Sequence, residues 1–498
     1  MSAPLAAAPP FVRRAPLVHA PWTHAWWQGR ADLVELFGPP PSSAALAAAA
    51  AAQTRRALPA WTSWVRSTSG RAPPADALVV LAGQQPVLAG GAALVAHKAA
   101  TAVRLAKDLA VSLRRAVVPV FLLADEDHDS SEVDHVDVID DASGRLRRLR
   151  CPISPRSASF REAAWDATQL RATIALLGEL SGEHAGSLAR RFADVDAAPA
   201  SAHVAALLLD TLGPQGLLCV EAHRLTHASR SILEETLAHP EWGSEVLADG
   251  ARRLERAGLR VSFDPADPRP LLLEARDQRR RRLAAGDEGA ARRLQATPDA
   301  FSPHAALRPI VQAAALPVVA QVCGPSELLY LGQARALHGR FGLAPPVLVP
   351  RLEATRVTRA QLRDLGGDLR AVDLEDAARR SHPLAAEERA LLEAAERLAR
   401  AVAQAAPALA PRARRWRAQA ESTARRLAAA PHWHGARGAA WSALRPRGRP
   451  QDTVLAWLPD AWRAGDPAAW AARLVELAAP LDPPEHVLHL LPEEPAHG

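Results

Sequence analysis

Two short runs along the chain, residues 77–82 (ALVVLA) and 117–123 (VVPVFLL), carry no polar position at all. Runs so short and so uniformly apolar predict strands buried on both faces, as in a parallel sheet. Between them stand the glycine-bearing stretch 83–91 (GQQPVLAGG) and a periodic segment over about 92–110 that predicts a helix. Strand, loop, helix and strand make a βαβ unit. Further buried-strand candidates at 217–220, 318–322 and 347–349, each beside helical patterning, extend the prediction to a doubly wound α/β core.

The pattern changes over 384–430. Leu391, Ala395, Leu398, Val402 and Ala405 repeat at 4-3-4-3 spacing, and Ala413, Trp416, Ala420, Thr423 and Leu427 at 3-4-3-4, with Pro407 and Pro411 between them. This predicts two helices folded into an antiparallel coiled-coil hairpin, with an ordinary helical pair as the alternative. The stretch 255–300 is dense in Arg, Pro and Asp and includes the run Arg279–Arg282, so it reads as an inserted surface element with a solvated face. The expected organisation has four parts. An N-terminal helical segment at 1–75, Ala-rich near 43–57, packs on an α/β core at 76–380 that carries the insertion at about 255–300. The coiled-coil hairpin at 381–432 follows, and a C-terminal segment at 433–498 returns to the core.

Composition adds limits more than features. With 498 residues, 48% of them hydrophobic, a large buried core is available. The net charge is +6 and the pI about 10.1, yet only Lys98 and Lys107 among the 60 basic residues are lysines. The excess of arginine is a bias in residue choice, and the cations alternate with acids, so no nucleic-acid face is predicted. Cys151, Cys219 and Cys323 lie far apart without metal-ligand or disulfide spacing, which suits a reducing compartment. The first residues lack the pattern of a signal peptide, and no run is long and apolar enough for a bilayer. A cytoplasmic protein without nucleic-acid or membrane partners is expected.

Three clusters could carry chemistry. The loop 83–91 leads into a helix N-terminus, where free N–H groups and the helix dipole favour an anion. It matches neither common nucleotide fingerprint, so a plain strand-to-helix turn stays open. On the helix that follows, positions 95, 98, 102, 105 and 109 share a stripe, and Lys98 interrupts its apolar character. A buried ammonium requires a carboxylate or an anionic ligand, unless the side chain snorkels to the helix flank. The second cluster is Asp125-Glu126-Asp127-His128-Asp129, at the carboxyl end of a strand, where open parallel sheets bind ligands. His128 suits general acid–base work, with Asp127 and Asp129 as orienting groups or as holders of an amine or Mg²⁺. His135 follows seven residues on, but the spacing specifies no metal site, and a structural acidic turn stays open. The third cluster gathers Arg308, Gln312, Gly324, Pro325, Glu327, Tyr330 and Gln333 around another strand end. Cys323 there reads as a small buried thiol more readily than as a nucleophile.

In order and approximate spacing, LAGQQPVLAGGAALVAHKA, VVPVFLLADEDHDSSEVDHV, FSPHAALRPIVQ, VCGPSELLYLGQ and PPVLVPRLEAT resemble the cysteine-adding enzyme family of bacillithiol biosynthesis, BshC. The later PQDTVL at 450–455 and the hairpin fit as well, so the resemblance runs from about residue 75 onward. It implies a Rossmann-like core akin to class I synthetase nucleotide-binding folds, connecting insertions and a dimerising coiled coil. It also implies a ligase that joins the carboxyl group of cysteine to the amine of glucosaminyl-malate, the last step to a low-molecular-weight thiol. ATP, with Mg²⁺, would activate the carboxylate, and the chain itself would hold no resident metal.

Carried over by position, Gly83, Gln84, Gln85, Gly90 and Gly91 would bind the nucleotide or its phosphate, and Lys98, Asp127 and His128 would be catalytic, His128 as general base. Glu126, Asp129, Arg308, Gln312, Gly324, Glu327, Tyr330, Gln333 and Arg351 would bind substrate, Arg308 as a clamp for the malate carboxylates. Ala82, Val87, Ala92, Leu94 and Val95 stand where the family loop reads Thr, Gly, Pro, Tyr and Thr, and Asp125, Cys323, Ser326 and Glu353 also depart from its pattern. Lost hydroxyls around the loop keep two alternatives in view: a divergent enzyme for another amino-sugar or thiol, and a nucleotide-binding coiled-coil protein without catalysis.

Overall fold

The computed structural model describes residues 12–17, 20–53, 60–154, 159–182, 199–276, 279–364, 385–429, 440, 443–446 and 449–490. The apolar runs form a five-stranded sheet of β1 (Leu78–Gln84), β2 (Val117–Leu123), β3 (Leu218–Glu221), β4 (Val318–Cys323) and β5 (Val347–Pro350). The strands lie in the order β5-β4-β1-β2-β3, every neighbouring pair parallel. The chain starts at the centre, winds outward through β2 and β3, then crosses back to β4 and β5. The reversal falls between β1 and β4, where loops leaving the carboxyl ends diverge and open a crevice.

Alternation along β1 explains why its run has no polar position. Leu78, Val80 and Ala82 pack into one apolar cluster with α1 (Leu94–Leu113) and α2 (Ala200–Leu212). Val79 and Leu81 face the opposite way, into a second cluster that includes residues of α3 (Glu241–Arg256) and α4 (Arg308–Ala315). With helices on both faces, neither set of side chains meets water. A third cluster joins N-terminal Trp26, Leu33, Leu36 and Phe37 to Leu328, Leu329 and Leu331 of α5 (Pro325–Ala334).

The stretch 255–300 is not a solvated appendage. Leu272–Arg276 and Arg279–Arg282 form a hairpin, and Phe301–Pro303 pairs on the other side to complete a three-stranded sheet. Leu271, Leu272, Leu283 and Phe301 belong to the buried cluster beneath β1 and β2. Strand geometry divides the arginine run by alternation: Arg280 points inward and is buried, whereas Arg281 is exposed.

α6 (Ala385–Ala405) and α7 (Ala410–Ala429) are joined by the turn Pro407–Leu409 and pack as a helical hairpin; 381–384 and 430–432 lie outside the described residues. Its inner seam keeps two of the expected heptad positions, Ala395 and Ala413, and departs at the bulky ones. Ala395, Ala399, Ala413 and Ala424 are buried, while Leu391, Leu398 and Trp416 lie exposed. Small residues let the helices approach closely, and the bulky ones are turned outward. The Glu396 carboxylate and the Arg417 guanidinium meet across the pair at 2.6 Å.

The chain beyond 449 lies against the core. α8 (Pro467–Leu477) packs on α1 and α2, and Glu485–Leu490 lies between Val12–Pro16 and Glu353–Val357 in a separate three-stranded sheet. Among the described residues no helix is long and apolar enough to cross a membrane.

Candidate active site

Lys98 sits in the second turn of α1, and its side chain is only 2% exposed. Side chains on a helix lean toward its N-terminus, so the lysine stem runs back to the end of β1. There the ammonium donates to the Gly83 carbonyl at 3.0 Å and to Gln84 Oε1 at 2.8 Å. Its third partner is Glu327 Oε2 at 2.6 Å, from the first turn of α5. Three N–H groups thus meet three acceptors. The sequence requires a carboxylate or an anionic ligand there without naming it, and the chain crossover between β1 and β4 brings Glu327 to the lysine. Glu327 Oε2 also accepts the backbone N–H of Gly324 at 2.8 Å, an N-terminal position that favours a carboxylate. Burial, followed by the charge of Glu327, raises the Tyr330 hydroxyl well above its ordinary pKa, so the phenol stays neutral.

Asp127 anchors a second group of side chains. Its Oδ2 accepts from Arg308 at 3.0 Å and from Gln85 Nε2 at 3.3 Å, and its Oδ1 accepts the His128 backbone N–H at 2.8 Å. The Arg280 guanidinium lies 4.0 Å away. Burial works to raise the Asp127 pKa, but the His128 contact and the two arginines outweigh it and hold the carboxyl far below its usual range. The neighbouring Glu126 shows the reverse balance, with burial raising its pKa against the pull of Arg280. Arg280 itself is pushed down to about 10 by burial and by the like charge of Arg308. His304, beside these arginines, is pushed down to about 3 by burial and by Arg282 and Arg308, and is neutral at physiological pH.

The two groups form one polar network at the carboxyl edge. Gln84 binds Lys98 while the next residue, Gln85, bridges Asp127 and Glu132, the latter at 2.6 Å. On the other side Glu327 leads to Tyr330, and Tyr330 lies close enough to Arg308 for its charge to act on the phenol. Three atoms here are buried without a hydrogen-bond partner among the described residues: Arg308 Nε, Gln312 Oε1 and His128 Nδ1. An unpaired buried polar atom costs about 1–3 kcal/mol, so such a set is characteristic of a place that receives a ligand or ordered water.

Other expected positions serve elsewhere. Gly90 and Gly91 are both at φ +77°; Gly90 lies against Trp457 and Gly91 against Val87. A Cβ on Gly90 would stand 2.7 Å from the Trp457 ring, whose Nε1 donates to the Gly90 carbonyl at 3.0 Å. The Leu455 carbonyl accepts from the Ala93 N–H at 2.8 Å, so that N–H is not open to a phosphate. Asp129 caps the short helix Ser130–Val133 through the Ser131 N–H and hydroxyl. Gln333 spends all four of its hydrogen bonds on backbone: its Oε1 accepts from Ser262 and Phe263, and its Nε2 donates to Leu247 and Phe263. Nothing is left on it for a substrate.

Arg351 lies in a second buried cluster that adjoins the first, 2.6 Å from Asp452 Oδ2 and 3.9 Å from Glu353, with the charge of Glu327 also acting on it. His97 reaches the same Asp452 oxygen at 3.4 Å. Gly324 lies against the Arg351 side chain, and a Cβ there would approach its Nε to 3.2 Å. Among the described residues no three His, Cys, Asp or Glu are grouped to hold a metal ion.

Arg280, His304, Glu132 and His223 are the neighbours that the sequence did not single out. The usable signal for Arg280 is strand alternation inside the arginine run, which sends every second side chain inward. The two histidines had none, because they stand beside long-range partners.

The comparison with known families covers the same part of the chain. The family described as "Bacillithiol biosynthesis BshC, N-terminal Rossmann-like domain" matches residues 73–352. A protein of Lysinibacillus sphaericus named "Putative cysteine ligase BshC" is 28% identical over 310 residues, 57% of this chain and 56% of that one. The protein of the same name from Thermus thermophilus is 30% identical over 289 residues, 55% and 56% of the two chains. That from Koribacter versatilis is 29% identical over 309 residues, 56% and 55%. The chain spans just over half the length of the curated relatives it matches. The β5-β4-β1-β2-β3 sheet and the loops that gather Lys98, Asp127, Arg308 and Glu327 fall inside the matched region, and by that match the chain belongs to the BshC family of bacillithiol biosynthesis.

Proposed function

We propose that the chain is a ligase that condenses the carboxyl group of cysteine with the amine of glucosaminyl-malate, using ATP with Mg²⁺ to activate the carboxylate. One observation carries the reading. Lys98, Glu327, Asp127 and Arg308, from the segments after β1, β2 and β4 and from the helix before β4, meet at the crevice where the strand order reverses. Condensing a carboxylate with an amine in water requires an activated carboxyl group, and ATP supplies the phosphoryl or adenylyl group. Lys98 and the edge 83–85 would meet the activated carboxylate. Gly90 and Gly91 would shape the loop without touching the nucleotide, since Trp457 covers Gly90 and Val87 packs against Gly91. Arg308 and Arg280, two forked cations side by side, suit a dicarboxylate such as malate. Asp127, held ionised, suits the ammonium of an amino acid or amino sugar.

The hairpin supports a second element of the proposal. Leu391, Leu398, Leu409 and Trp416 are exposed together on α6, α7 and their turn, and two chains pairing through this face would bury them. The three cysteines are free thiols, which suits a cytoplasmic setting for the reaction.

Mass spectrometry of the full chain with cysteine, glucosaminyl-malate and ATP–Mg²⁺ tests the reading. The expected product is the condensed thiol, dependent on all three components. Condensation only with a different amino sugar would move the acceptor. ATP binding with no condensation of any thiol, under conditions where a relative turns over, would reduce the chain to a binding protein.

A further inference from the structure

A general base needs a partner that fixes its tautomer and leaves its other nitrogen free. His128 lacks the first property. Its Nδ1 is 3.6 Å from Asp127 Oδ1, outside hydrogen-bond range, and Asp127 is already occupied by Arg308, Gln85 and the His128 backbone. His223 has both. Asp125, fully buried after β2, holds His223 Nδ1 at 2.5 Å through Oδ2 and accepts the His223 backbone N–H at 3.1 Å through Oδ1. One carboxylate thus grips both the ring and the main chain of the histidine. Accepting at Nδ1 keeps the neutral ring protonated there and turns the lone pair to Nε2. That nitrogen makes no hydrogen bond to the described residues, and the side chain remains 22% exposed.

The placement matches the duty. His223 is the second residue of the helix Ala222–Ala228, which leaves the carboxyl end of β3, the strand beside β2. Asp125 adjoins Glu126 and Asp127, and its charge acts on Arg280, so the pair borders the same charged edge.

We propose that His223, positioned by Asp125, is the general base of this site; the substrate named for it rests on the ligase reading. The incoming amine arrives as an ammonium, and one of its protons passes from nitrogen to His223 Nε2. The freed electron pair attacks the carbonyl carbon of an activated carboxylate, an acyl phosphate or acyl adenylate. A C–N bond forms, the C–O bond to the phosphoryl group breaks, and that electron pair leaves on the phosphoryl oxygen. The remaining extra proton on nitrogen leaves with the departing phosphate. The Asp125 carboxylate stabilises the imidazolium until it returns its proton to water.

The experiment compares the parent full chain with His223→Ala, His223→Gln and Asp125→Asn. A general base contributes about 10²–10⁴-fold, so His223→Ala should lose at least about 100-fold in kcat with KM little changed. Its melting temperature should stay near the parent's, and added imidazole should restore part of the rate. Asp125→Asn should lose activity with His223 still present. Nitrogen NMR of histidine-labelled chain, with His223→Gln assigning the signal, should find the Nδ1–H tautomer in the parent and lose that preference in Asp125→Asn. A parent-like rate in His223→Ala, or a folded and inactive His223→Ala that imidazole does not rescue, overturns the proposal. A parent that forms no amide overturns the ligase reading instead, and an Nε2–H tautomer in the parent overturns the Asp125–His223 assignment on its own.

Discussion

His97 and Lys98 are neighbours on α1, yet each enters a different ionic cluster. Lys98 joins Glu327 at the crevice, where the partly exposed Asp127 and Arg308 lie in the same network. His97 joins Asp452, Arg351 and Glu353, whose side chains are at most 4% exposed beneath the chain that returns after 449. The residue types are nearly the same, so what separates the clusters is access to solvent. Charges sealed from water must neutralise one another within the protein, and removing one partner strands the others. Charges at the open edge can exchange a protein partner for a ligand. The sealed cluster is therefore a fastening between the core and the C-terminal segment, and the open one is where chemistry has room.

Breaking each cluster should have opposite consequences. Asp452→Asn leaves Arg351 buried with its nearest anion gone and should cost about 3–5 kcal/mol, read as a lower denaturant midpoint. Lys98→Met should instead lower condensation by about 10²–10³-fold, measured as product formation, with a smaller loss of stability. The contrast fails if Asp452→Asn melts like the parent while Lys98→Met keeps its activity.

Gln333 sharpens the same contrast, because its whole amide is committed to backbone. Gln333→Leu strands the N–H groups of Ser262 and Phe263 and should cost about 3 kcal/mol in chemical unfolding. The folded fraction should turn over at the parent rate. A stable variant with a raised substrate KM would return Gln333 to the binding site.

His203 is sealed with no hydrogen bond to either ring nitrogen among the described residues, edge-on to Trp165 at 5.7 Å. Burial pushes it down to about 4. The unfolded chain therefore binds this proton below about pH 6.5 while the folded chain does not until about pH 4. Stability from this group is complete above 6.5 and falls as the pH drops toward 4. At pH 5 the loss is about 2 kcal/mol. His203→Leu should remove that slope from the pH dependence of the melting temperature, and an unchanged slope would assign the effect to other groups.

The smallest effect on stability is expected at the hairpin. Leu391→Glu with Leu398→Glu should change the unfolding free energy by no more than about 0.5 kcal/mol, since both residues are exposed. Sedimentation should nevertheless give a dimer mass for the parent, as proposed, and a monomer mass for the double variant. An unchanged mass would place the pairing face elsewhere or remove it.

Local order was legible in the residues themselves. Uniformly apolar runs pointed to strands covered on both faces, and Lys98 on an apolar stripe pointed to a buried charge with a partner or a stem that snorkels, because periodicity and desolvation act within a few residues. The hairpin was legible as two helices divided at Pro407, but its seam was not. The spacing put leucines and alanines on one seam, and close packing between the helices kept Ala395 and Ala413 inside while Leu391, Leu398 and Trp416 turned outward. The carboxyl edge was legible as a place and not as a set of contacts. That Lys98 meets Glu327, that Trp457 covers Gly90 and that Asp125 grips His223 all follow from strand order and chain return. Each of these pairs residues far apart in the chain. The sequence alone determined the elements and which residues needed partners; the tertiary structure decided which partner each received, because a buried charge is satisfied by whatever the closed sheet brings within about 3 Å.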